Sequence, residues 1–265
     1  MKIGFIGLGN MASAIIGGLL GKEMVEASEL MGADVSAVMR DKAAEQFKMA
    51  VTPDNAEVAA WADILFLAVK PIFLGEVLED IRDVVKENTV LVSIVAGRTL
   101  QNLRDGLKRQ GMKIVRCMPN TPALVLEGCT GVCADDTVSL EELEQVMTLL
   151  GSFGKASVVP ERLMDAVVGV SGSSPAFVFM FIEALADGAV QAGMPRAQAY
   201  EFAAQTVLGS AKLVLETGRH PGELKDMVCS PGGTTIEGVK ILEEKGFRAA
   251  VIDAVEACVN KSKNL

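Results

Sequence analysis

Two glycine-rich turns carry the residues best suited to chemistry. Cys229-Ser230-Pro231-Gly232-Gly233-Thr234-Thr235 sets two glycines and two hydroxyls before an apolar helical pattern (Ile236, Val239, Ile241, Leu242). Glycine has no Cβ and takes positive φ, so the backbone can close on a ligand. N–H groups gathered at a helix start hold a small anion such as a carboxylate. Near the other end, Gly7-Leu8-Gly9-Asn10-Met11-Ala12 follows the apolar run Lys2–Ile6 and precedes Ala14, Ile15, Ile16, Leu19 and Leu20. GxGxxA between a strand and a helix is a dinucleotide fingerprint. Gly7 makes the tight turn, Gly9 admits pyrophosphate to the backbone, and Ala12 lets helix and sheet pack closely. Asp34 lies downstream, where an acid accepts ribose hydroxyls and repels a 2′-phosphate. Ser36 and Arg40 follow it and can bind that phosphate, so the coenzyme stays open between NADPH and NADH.

The elements that must position these turns follow from periodicity. Strand-like runs recur at Glu29–Ala33, Ile64–Val69, Thr89–Val95 and Lys113–Met118, with helical patterns at Ser36–Phe47, Ile72–Val85 and Leu100–Arg109. Such alternation predicts an α/β fold with a Rossmann-type, doubly wound parallel sheet. Ligands bind at the carboxyl ends of such strands. Ala68, Val69, Lys70 and Pro71, then Ala96 and Gly97, then Pro119 and Asn120 are therefore expected to converge on the coenzyme. After a last short strand near Ala156–Val159 the pattern turns helical, giving a coenzyme domain over 1–159 and a helical domain over 160–265.

In that second half, Pro160 and Glu161 open a helix through Val168, and Ser174 reads as the N-cap of a long helix with Pro175 at its first position. Helix 175–192 is apolar nearly all round (Phe177, Val178, Phe179, Met180, Phe181, Ile182, Leu185), so it must be covered on every side. A homodimer through this region is the expectation. Glu183 and Asp187 argue for a buried or interface helix over a membrane span.

Composition removes other classes. The net charge of −9 argues against a nucleic-acid partner. Five cysteines without a CxxC pair, with one His, leave no zinc set and no metal is expected. The odd thiol count and the lack of a signal-peptide pattern point to the cytoplasm.

Taken together, GLGNMA at 7–12, AVKP at 68–71, AG at 96–97, MPNTP at 118–122, SGSSPA at 171–176 and L-x3-VCSPGGTT at 224–235 resemble the pyrroline-5-carboxylate reductase family along the whole chain. The resemblance implies NAD(P)H-dependent reduction of 1-pyrroline-5-carboxylate to L-proline, in a cytoplasmic enzyme whose helical domains interlock as dimers. It places coenzyme contacts on Ile6, Gly7, Leu8, Gly9, Asn10 and Met11, on Asn55, on Ala68–Pro71 and near Ala96-Gly97. It places the substrate on Ser230, Gly232, Gly233, Thr234 and Thr235, and Pro119 and Asn120 are assigned to the substrate as well. Many relatives carry Ser or Asn-Arg-Ser where this chain has Ala33-Asp34-Val35-Ser36, which leaves the coenzyme preference unsettled.

Reduction of a cyclic imine needs hydride at carbon and a proton at nitrogen. Thr235 is the candidate hydroxyl beside the ring nitrogen; otherwise it or Thr234 only caps the next helix. His220 precedes Pro221 at a helix entry, where a solvated or capping role is expected. A β-hydroxyacid dehydrogenase uses a lysine on the interdomain helix, and Val168–Met180 contains none. The remaining rivals are another imine reductase and a non-catalytic dinucleotide sensor, the latter disfavoured by an intact SPGGTT turn.

Overall fold

A computed structural model describes Met1–Asn264. The chain opens with β1 (Ile3–Ile6), α1 (Asn10–Gly21), β2 (Leu30–Ala33), α2 (Ala37–Phe47), β3 (Ala50–Thr52), α3 (Asn55–Trp61) and β4 (Ile64–Leu67). It continues through α4 (Leu74–Ile81), β5 (Val90–Ser93), α5 (Leu100–Leu107), β6 (Lys113–Met118), β7 (Gly128–Ala134), α6 (Leu140–Leu150) and β8 (Gly154–Val158). These strands form one sheet in the order β3-β2-β1-β4-β5-β6-β7-β8.

The strands at the centre are buried on both faces. β1 and β4 read as unbroken apolar runs and β5 as one that ends in Ser93, with every residue covered, as a parallel sheet clad in helices requires. One face packs Phe5, Ile15, Leu19 and Phe66, and the other Leu65, Leu67, Leu78 and Ile81. Phe5 and Phe66 stack across neighbouring strands with ring centroids 4.9 Å apart.

The expected sheet is parallel at every pair but one: β6 and β7 run antiparallel. Between Met118 and Gly128 lies only a short 3-10 turn, Thr121–Val125. A parallel return needs a crossover of a dozen residues or more, usually a helix, so the strand can only turn back. β3, α3, β7 and α6 are additional to the elements expected from periodicity. α6 is held by a capping box, in which the Glu142 N–H donates to Ser139 Oγ at 3.2 Å and the Ser139 N–H to Glu142 Oε2 at 2.9 Å.

α7 (Met164–Val167) follows, then a π-helical stretch Val168–Ser173 and α8 (Ser174–Gln191). The run from Glu161 to Gln191 is one continuous helical rod. Ser174 is therefore not an N-cap, and Pro175 sits inside the rod. Proline has no N–H for the carbonyl four residues back, here that of Ser171. The Asn120 side-chain amide donates to this carbonyl at 3.0 Å. Widening into a π turn is a common way for a helix to absorb such a defect.

The chain ends with α9 (Arg196–Thr217), α10 (Pro221–Val228), α11 (Thr234–Glu244) and α12 (Phe247–Ser262). Two compact units result: Met1–Ser173 with Cys258–Leu265, and Ser174–Ala257. Within the second unit, α8 and α9 pack around Ala186, Ala199 and Ala203, with Ile182, Val190 and Met194 partly buried against them. Phe179 and Met180 are 62% and 68% exposed on the single chain.

Candidate functional site

The first turn is built as the fingerprint requires. Gly7 has φ +93°, and a Cβ there would stand 2.6 Å from the Ala68 carbonyl oxygen. Its N–H donates to Ala33 O, and that of Ala68 to Ile6 O, both at 2.8 Å, so the ends of β1, β2 and β4 are tied together. Gly9 is the N-cap of α1 and has no side-chain capping bond. A Cβ on Gly9 would meet nothing within 4 Å. That open space over the start of a helix suits a pyrophosphate. Ala12 is 1% exposed, the close helix–sheet contact expected of it.

A cavity of about 700 Å³ opens beside this turn. Of the expected coenzyme residues, it brings together Ile6, Gly7, Gly9, Asp34, Asn55, Ala68, Val69 and Lys70. Leu8 turns its side chain into the core, leaving its backbone to face Asp34. Asn10 is exposed and Met11 half-buried at the start of α1, and Pro71 opens the 3-10 turn after β4. Gly97 lies apart from the first cavity. It takes φ +70° and lines a second space of about 500 Å³ with Arg98, Thr99, Arg116 and Glu161, and Ala96 precedes it. The size, glycine cradle and uncapped helix start fit a dinucleotide.

Both carboxylate oxygens of Asp34 accept a backbone N–H, Oδ2 that of Leu8 at 2.8 Å and Oδ1 that of Ser36 at 2.9 Å. Arg40 Nη1 donates to the carbonyls of Asp34 at 2.7 Å and Val35 at 3.1 Å. Asn55, in the first turn of α3, donates from Nδ2 to Asp80 Oδ2 at 2.9 Å. Asp80 was not among the expected residues. It sits far along the chain on α4, and nothing in the local sequence marks it as Asn55's partner.

At the end of β6, Pro119 leads into Asn120, which is 8% exposed. Asn120 Oδ1 accepts the Cys129 N–H at 2.8 Å while its amide holds Ser171 O, so both ends of the side chain brace the backbone. Nearby, burial pushes the Cys133 thiol up to about 11 and raises Cys117 further, so neither is a thiolate at neutral pH.

The second glycine turn lies in the helical unit. Gly232 takes φ +67°, and the Gly233 N–H donates to Ser230 O at 3.0 Å. Gly233 itself is the N-cap of α11 and no side chain caps the helix. Thr234 and Thr235 are thus the first two helical residues, not its cap, with Thr234 exposed and Thr235 half-buried. His220 fulfils the capping role, its Nδ1 accepting the Gly222 N–H at 3.0 Å.

Comparison with known proteins agrees with both halves of this arrangement. Residues 2–97 match the family described as NADP oxidoreductase coenzyme F420-dependent, and residues 161–265 match pyrroline-5-carboxylate reductase dimerisation. Among solved structures, a pyrroline-5-carboxylate reductase from Coxiella burnetii superposes with a TM-score of 0.92 at 34% identity, covering 99% of this chain and 97% of that one. A pyrroline carboxylate reductase from Plasmodium falciparum with NADP bound superposes with a TM-score of 0.90 at 33% identity, covering 100% and 97%. The pyrroline-5-carboxylate reductase of Escherichia coli is 54% identical across 100% of this chain and 98% of its own length. With a fingerprint cradle at one end, an uncapped glycine turn at the other and relatives of this closeness along its full length, the chain belongs to the pyrroline-5-carboxylate reductase family.

Proposed function

We propose that the protein reduces 1-pyrroline-5-carboxylate to L-proline with NAD(P)H. The observation that carries this reading is the Ser230–Thr235 turn, where an eleven-residue helix begins on two glycines with no side chain at its cap. Its first-turn N–H groups are suited to the substrate carboxylate, because the positive end of the helix favours an anion. The phosphates of the coenzyme already have their cradle at Gly7–Met11.

In this reading residues 1–159 hold the coenzyme and 160–265 bind substrate and form the dimer. Ser230, Gly232, Gly233 and Thr234 fix the carboxylate. Pro119 and Asn120 border the substrate at the strand ends, Asn120 through its backbone since its side chain is committed. Thr235 donates its hydroxyl hydrogen bond to the imine nitrogen, orienting the ring and passing on a proton that water replenishes. Bound NAD(P)H supplies the hydride that adds to C5. Holding two reactants in line contributes on the order of 7–11 kcal/mol to such a step.

The Glu161–Gln191 helix has the length and apolar composition of a membrane span, and little of its apolar part is covered on the single chain. A second copy of the chain is the better cover, given the dimerisation family matched over 161–265. The five free thiols support a cytoplasmic setting.

Loss of NADH or NADPH absorbance on adding 1-pyrroline-5-carboxylate tests the activity, and no turnover with either coenzyme overturns it. Thr235→Ala is expected to lower kcat by about 10²-fold, with Thr235→Ser recovering most of it. An unchanged kcat and KM in Thr235→Ala removes that residue from the site.

A further inference from the structure

In a Rossmann unit the end of the second strand decides between the two coenzymes. An acid there takes the ribose hydroxyls of NAD, and a cation there accommodates the 2′-phosphate of NADP. A phosphate at this spot needs N–H donors and a positive charge within reach.

Here both requirements are already taken up by the protein. The donors at the end of β2 are the N–H groups of Leu8, from the fingerprint turn, and of Ser36, from the entry to α2. Each is held by one oxygen of Asp34, at 2.8 and 2.9 Å. The chain's own carboxylate is thus the anion in this small nest. The nearest cation, Arg40, is turned onto the carbonyls of Asp34 and Val35. Around the cavity Asp34 is joined by Asp54, Glu76 and Asp80, while Lys70 is its one basic lining residue. Lys70 follows β4, which pairs with the far side of β1 from β2.

We propose that Asp34 is a specificity-determining residue: by filling the nest with a carboxylate, it excludes the 2′-phosphate and makes this chain take NADH in preference to NADPH. A ribose bearing a free 2′-hydroxyl can still donate to the remaining lone pairs of Asp34, whereas a 2′-phosphate brings two negative charges against it. The proposal rests on the reading of the 700 Å³ cavity as the coenzyme site, and it adds to that reading which coenzyme is selected.

The test separates binding from turnover. Calorimetry on the full chain with 5′-AMP and 2′,5′-ADP, without imine, compares fragments that differ only in the 2′-phosphate. Like charges brought together across a binding surface disfavour binding, so AMP is expected to bind at least about tenfold more tightly. The ratio should narrow as salt rises, because an exposed repulsion is screened. Asp34→Ser, checked for folding by its melting curve, is expected to narrow or reverse the ratio, and kcat/KM for NADH over NADPH should move with it. Wild-type protein that binds 2′,5′-ADP as tightly as AMP overturns the proposal without need of a variant. So does a folded Asp34→Ser with an unchanged ratio. Equal kcat/KM for both coenzymes with active turnover overturns the coenzyme selection alone. A preserved AMP preference without imine reduction supports it and sinks the assigned reaction instead.

Discussion

Gly7 shows how much a single residue can carry. A side chain at this position meets two penalties at once: φ of +93° and a Cβ 2.6 Å from the Ala68 carbonyl. A strained backbone of this kind costs on the order of 1–3 kcal/mol. Gly7→Ala is expected to lose at least that in urea denaturation and to weaken coenzyme binding more than tenfold, read by coenzyme fluorescence. A variant with wild-type stability and affinity removes the steric argument. Such residues were legible in the sequence because their role is local. The spacing Gly7, Gly9, Ala12 is enough to specify a turn, and Gly232-Gly233 enough to specify another. The binding of Asp34 to Leu8 and Ser36 was not legible, since the orientation of a carboxylate depends on strands meeting from different parts of the chain. The pairing of Asn55 with Asp80 was hidden for the same reason.

At the level of elements, Asn120 connects three pieces of backbone: the loop just beyond β6 on which it sits, the start of β7 through Cys129, and the π-helical stretch through Ser171. Removing its side chain takes two part-buried hydrogen bonds from the Cys129 N–H and the Ser171 carbonyl, each worth about 0.5–1.5 kcal/mol. Asn120→Ala is therefore expected to lower the denaturation midpoint clearly, and a loss below about 0.5 kcal/mol, the range of an ordinary surface change, refutes the brace. Pro175→Ala restores an N–H four residues after Ser171, so in that background the same truncation should cost less. The elements themselves were unevenly legible. β1, β4 and β5 announce themselves as apolar runs because both of their faces are buried. β7 does not: Gly128-Cys129-Thr130-Gly131-Val132-Cys133-Ala134 is short of large apolar residues. Its small side chains suit close packing, and a Cβ on Gly131 would lie 2.7 Å from Val167. α6 was readable from the Ser139–Glu142 box, a signal that periodicity alone passes over. The rod from Glu161 to Gln191 was divided at Ser174 because Pro175 looks like a first-turn proline, and only the π turn shows how the helix runs on.

For the whole molecule, the decisive contrast is between the two units. The first buries aromatic and branched side chains on both faces of an eight-stranded sheet, while the second, among the described residues, buries only Ala186, Ala199, Ala203 and Leu224 of its apolar side chains. Phe179, Met180, Leu208 and Ile252 remain exposed on the single chain. Large apolar side chains exposed on three helices of one small unit point to an interaction surface. Phe179→Glu is expected to shift sedimentation from dimer to monomer, and a variant that stays dimeric with wild-type affinity places the interface elsewhere. So small a core in the helical unit also bears on what a melting temperature means for this protein. Where cohesion comes from a neighbour, stability follows mass action and rises with the concentration of that neighbour. Dilution alone should then lower the melting temperature of the helical unit, in the same buffer and with no residue changed.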